Sequence, residues 1–141
     1  MRLAGIGPRP RWMMAVAVLA GAFGVATIVS GGRVLFGTEA ARDAAGHYVA
    51  FVLWFNFLAG FAYVGAATGL ARGRRWTVPL SAGIALATLL VGLAFGAHVL
   101  AGGAFEPRTV AAMGIRLAAW TAITVAASRA SRRADAHRPT R

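Results

Sequence analysis

The sequence predicts an all-α integral membrane protein: four transmembrane helices in an antiparallel bundle, with both termini cytoplasmic. Three observations carry that prediction. First, mean hydropathy is +0.64, with 58% hydrophobic and only 13% charged residues. A soluble domain carries about 25% charged residues, and a chain this small needs that polar cover for its large surface. Second, four segments are long and apolar enough to cross a hydrocarbon core of about 30 Å, which takes roughly 20 residues of helix. Third, the arginines are segregated by segment. All 15 basic residues among 141 are arginine, against 4 acids, and there is no cysteine. Disulfides, thiolate metal sites and cysteine catalysis are therefore excluded.

The chain divides into a basic segment at 1–11, a transmembrane domain at 12–128 and a basic tail at 129–141. Span one covers 12–31 and carries no charge. It follows Arg2, Arg9 and Arg11, as a secretory leader would. Its apolar stretch exceeds the roughly 7–15 residues of a leader and ends without a clean A-x-A site, so an uncleaved anchor is expected. Span two covers 47–71. Thr38 is a candidate N-cap for an earlier start, which would make 38–46 an alanine-rich extension of the same helix. Arg72, Arg74 and Arg75 close span two, and Trp76 suits an interfacial position. Span three covers 78–101, with Pro79 tolerated in its first turn and Gly102-Gly103 after its end. Span four covers 109–128. Glu106-Pro107 is a start signal, because the positive end of the helix dipole favours an acid and proline fits the first turn. Backbone groups in lipid must be satisfied internally, and no alternating barrel pattern is present, so helix is the expected form throughout.

Eleven arginines fall before span one, between spans two and three, or after span four; three (Arg33, Arg42 and Arg108) fall on the other side. The positive-inside rule then places both termini in the cytoplasm. The stretch from His47 to Leu70 resembles those of small bacterial inner-membrane proteins, which implies a multi-pass protein of the cell inner membrane. The basic tail abuts a span and lacks interleaved aromatics, so an anionic leaflet suits it and nucleic acid does not.

Small residues recur every four positions: Ala17 and Gly21, Ala20 and Gly24, then Gly65, Gly69 and Gly73, then Gly92 and Gly96. Such faces let helices approach closely, within this bundle or in a homo-oligomer or larger membrane complex. The aromatics of span two, from Tyr48 to Tyr63, fill gaps between glycine-rich helices, face lipid, or flank a flat cofactor. Asn56 lies among them and is expected to bond across to Thr88, Thr121 or Thr124.

The ionisable groups that can act together gather toward the non-cytoplasmic side. Glu39, Asp43 and His47 are spaced i, i+4, i+8 and form one stripe if the helix starts at Thr38. His98 approaches the same leaflet from span three. Arg116 is the one formal charge inside a span. These residues admit three readings. His47 and His98 ligate a haem b, with Arg108 or Arg116 near its propionates. Alternatively, His47, His98, Glu39, Asp43 and Glu106 supply ligands to a divalent metal. The plainest reading has interfacial histidines, a charged loop, and Arg116 paired with an acid or snorkelling outward. If Arg116 does pair with Glu39, Asp43 or Glu106, Arg116→Leu should destabilise more than Arg108→Leu.

Catalytic motifs are missing: there is no G-x-S-x-G, no H-E-x-x-H and no phosphate loop. No carboxylate falls inside a span, which argues against a small proton-coupled exporter. The expected role is an accessory or binding component of a membrane complex, the alternative being a haem- or metal-binding subunit.

Overall fold

The computed structural model describes residues 11–136, without the side chains of 134 and 135. The basic segment before Arg11 and the end of the tail after Ala136 lie outside the described residues. Five helices follow in order: α1 Arg11–Phe36, α2 Glu39–Ala45, α3 Ala50–Ala71, α4 Thr77–Leu100 and α5 Pro107–Ala136. Four of them, all but α2, are long and apolar enough to span a bilayer. The protein is a four-span, all-α membrane protein.

α3 and α4 follow their expected spans to within a few residues, whereas α1 and α5 run longer. α1 continues past Gly31 to Phe36, and α5 continues through the arginines to Ala136. The four-residue helical rhythm does not stop where hydropathy falls. α2 is a separate helix and not an extension of the next span. Thr38 stands at its N-cap position, where its carbonyl accepts N–H bonds from Ala41 and Arg42 but its side chain makes no cap bond. The chain then turns at Gly46, whose φ of 69° is a left-handed conformation open to glycine and costly for other residues. His47 therefore lies beyond the helix that carries Glu39 and Asp43, and the expected stripe is broken. At the far end of α4, Gly102 (φ 81°) stops the helix, and the Gly103 N–H reaches back to the His98 carbonyl at 3.0 Å.

α1 and α3 form the closest pair, running antiparallel. Gly24 meets Gly60 at their crossing. A Cβ on Gly24 would stand 2.9 Å from the Gly60 carbonyl oxygen, and one on Gly60 would stand 3.0 Å from that of Gly24. The small-residue face of α1 is thus consumed inside the bundle. α3 then packs on α4 and α4 on α5, so the helices run α1–α3–α4–α5. Gly83 and Gly114 have open space around them, as does Gly96 of the expected α4 face.

The core is built from Ala20, Ala59, Tyr63, Ala66, Ala67, Ile84 and Trp120, which draw on all four spans. Tyr63 and Trp120 bridge α3 to α5, with ring centroids 4.8 Å apart. Exposed leucines such as Leu86, Leu90 and Leu93 cover the outside of α4, as a lipid-facing surface requires. The arginine-rich loops and helix ends fall at one end of the bundle, and α2 lies at the other. Trp76 is half-exposed at the start of α4, at the arginine-rich end.

Candidate functional site

The α2 end is tied together by Glu106 and Arg108, which flank the start of α5. The Glu106 carbonyl accepts the Thr109 N–H at 2.8 Å, which opens the helix. Its carboxylate Oε1 accepts the His47 N–H at 2.9 Å, and the His47 Nδ1 lies 3.8 Å from it. Oε2 lies 3.9 Å from the Arg108 Nε. Arg108 in turn donates to the carbonyls of Ala44, at 3.3 Å, and Ala45. Those carbonyls belong to the last turn of α2, where a cation is favoured by the helix dipole. Arg108 is therefore a clamp between α5 and α2.

His47 and Glu106 are brought together, in an exposed setting. His98 stands on α4, where its Nε2 lies 3.1 Å from the Ala104 carbonyl and its ring meets Phe51 edge-on. A carbonyl only accepts, so Nε2 carries the proton, and Nδ1 is the ring nitrogen left for any ligand. Glu39 and Asp43 are exposed on α2. Among the described residues, no three histidine or acidic side chains gather as a metal cage would require.

Arg116 occupies a different setting from the one its sequence position suggested. It lies nine residues into α5, about 13 Å along the helix axis from Pro107. Among the described residues it has no ion-pair partner. Its guanidinium carbon stands 5.5 Å from the ring centroid of Phe23 on α1, a cation–π arrangement. Tyr63 is beside it, stacked on Phe23 at 5.8 Å. The charge is thus received by an aromatic cluster of α1, α3 and α5, away from the acids of α2. Its Nε is buried with no hydrogen-bond partner.

Asn56 also departs from expectation. Its Oδ1 is buried without a partner, while two of the three threonines proposed for it bond to their own helices. Thr88 donates to the Ile84 carbonyl and Thr124 to the Trp120 carbonyl, each at 2.8 Å. Asn56 instead lines a cleft.

That cleft lies between α1, α3 and α5 at the α2 end and holds about 420 Å³. Thr27 and Ser30 of α1, Asn56 of α3, and Arg108, Thr109 and Arg116 of α5 supply its polar wall. No carboxylate lines it. Two arginines, three hydroxyl residues and an amide therefore line one space; the Arg108 guanidinium is engaged by Ala44, Ala45 and Glu106, and the Arg116 Nε is buried without an acceptor. Arginine presents a planar fork of donors that suits carboxylates and phosphates. Sequence reasoning found Arg116 and Asn56 individually but not Thr27, Ser30 or Thr109. A small hydroxyl residue in a span gives no signal of its own.

The fold and this cleft define a four-span membrane protein with a cationic, hydroxyl-lined opening between its helices. Compared with known protein families, curated proteins and solved structures, the chain finds no match.

Proposed function

We propose that this chain is a bacterial inner-membrane protein, with both termini cytoplasmic, which acts as a binding or accessory component and captures an anionic group in the cleft of Arg116. The observation that carries this reading is Arg116 itself, a guanidinium without an ion-pair partner among the described residues, lining a cleft that no carboxylate lines. An intramembrane charge is costly, so its retention marks a functional position by default. Thr27, Thr109 and Asn56 add neutral donors that would hold further oxygen atoms, while the Ser30 hydroxyl donates to the Thr27 carbonyl. The arginine distribution supports an arrangement in which the cleft opens on the non-cytoplasmic side. The non-enzymatic part of this reading rests on the sequence alone, which carries no G-x-S-x-G, H-E-x-x-H or phosphate-loop motif.

A thermal-shift titration of the detergent-purified protein with glycerol phosphate tests this. Saturable stabilisation that disappears in Arg116→Leu is expected, since a ligand that binds only the folded state raises its apparent stability. No shift, or the same shift in Arg116→Leu, would overturn the reading.

A further inference from the structure

We propose, resting on the anionic reading of the cleft, that its occupant is an anionic phospholipid, held by its headgroup at Arg116 and by one acyl chain in the groove between α1 and α5. The backbones of α1 and α5 scarcely approach each other, although both flank the core. Between them, next to the cleft and sharing Arg116 with it, lies an apolar space of about 330 Å³. Leu19 and Phe23 form one side of it, and Ile115 and Ala119 the other. It leads through Val16 and Ile123 into a second apolar space of about 160 Å³ against Leu70 and Ala127. From Arg116 to Ala127 this path follows α5 for about 16 Å.

A polar chamber and a long apolar groove open to lipid on its side thus share one residue, Arg116, in their walls. A small soluble anion would use only the chamber. A neutral lipid would fill the channel and leave the Arg116 charge unmatched. An anionic phospholipid matches both, with charge complementarity at Arg116 and hydroxyl donors for the rest of its headgroup. Lipid tails are already in an apolar setting, so the headgroup must supply the selectivity. The arginine fork is therefore the selective element, and the groove sets the chain's direction.

The test is native mass spectrometry of the full chain in detergent, titrated with long-chain phosphatidylglycerol, long-chain phosphatidylcholine and glycerol phosphate. One phosphatidylglycerol is expected to be retained in preference to phosphatidylcholine by about tenfold, the scale of one charge-assisted hydrogen bond. Arg116→Leu should abolish the preference. Ala119→Trp, which fills the groove from an exposed position, should weaken retention of phosphatidylglycerol while leaving the glycerol phosphate response intact. If glycerol phosphate stabilises the protein but phosphatidylglycerol shows no preference, or if Ala119→Trp has no effect, the lipid inference fails and the anion reading stands. If neither ligand responds to Arg116→Leu, both fail.

Discussion

Replacing Arg116 by leucine should leave the protein at least as stable as before, whereas replacing Arg108 by leucine should weaken it. A guanidinium at the centre of a span costs about 2.5–3.5 kcal/mol on insertion scales. The contact of Arg116 with Phe23 at 5.5 Å offsets this by about 1–2 kcal/mol in a desolvated setting. No acid contributes, and Nε has no acceptor. Removing the charge should therefore be stabilising by about 0.5–2.5 kcal/mol. Arg108 is the opposite case. It donates to the carbonyls of Ala44 and Ala45 and pairs with Glu106. Bonds from a charged donor are worth about 1.5–3 kcal/mol when buried. The Arg108 side chain is 63% exposed, so solvent screening reduces the total to about 1–2 kcal/mol. Both variants should be unfolded thermally in one detergent and followed by circular dichroism, without added lipid or phosphate. If Arg116→Leu proves less stable than Arg108→Leu, the guanidinium has a protein partner and the cleft argument collapses.

Three further outcomes follow from the packing. Gly24→Ala should destabilise by about 1–3 kcal/mol through overpacking against Gly60, while Gly83→Ala, in open space, should be neutral or stabilising by up to about 1 kcal/mol; equal melting temperatures would contradict the crossing. Asn56→Leu should cost less than about 0.5 kcal/mol, below the usual value of an interhelical bond, yet weaken the glycerol phosphate response; a larger loss of stability would mean that Asn56 has a partner across the bundle. Glu106→Ala should speed amide exchange at His47 and across residues 44–48 without shifting global unfolding, since it removes the acceptor of the His47 N–H; unchanged exchange there would show that Glu106 does not hold the α2–α3 link.

The four spans were legible because hydropathy and helix length are properties of the sequence itself. Helix ends were less so: α1 runs on through Gly31 and Gly32 to Phe36, just before Gly37, and α5 meets no glycine or proline between Gly114 and Ala136. α2 was misread as a continuous extension because Gly46, the residue that breaks it, sits in an alanine-rich run with no proline to mark a stop. For Arg116, the acids Glu39, Asp43 and Glu106 were the visible candidates for partnership. Spacing along one chain does not reveal that Phe23 and Tyr63 meet position 116 at the same depth. The expected stability ranking of Arg108 and Arg116 is reversed for that reason. Asn56 shows the same limit, since Thr88 and Thr124 satisfy themselves within their own helices, a choice that composition does not encode.

The positive field of the cleft can be measured directly, because the chain has no cysteine and a single one can be introduced cleanly. Ser30→Cys places a thiol on the exposed wall of the cleft opposite Arg116. Its reaction rates with an anionic and a cationic thiosulfonate reagent of similar size should be compared in membranes. The anionic reagent is expected to react faster by about tenfold or more, since a charged cleft with low-dielectric walls concentrates ions of opposite sign. Adding Arg116→Leu should remove most of that preference. Equal rates for the two reagents, or a preference unchanged by Arg116→Leu, would contradict an anion-capturing site at Arg116.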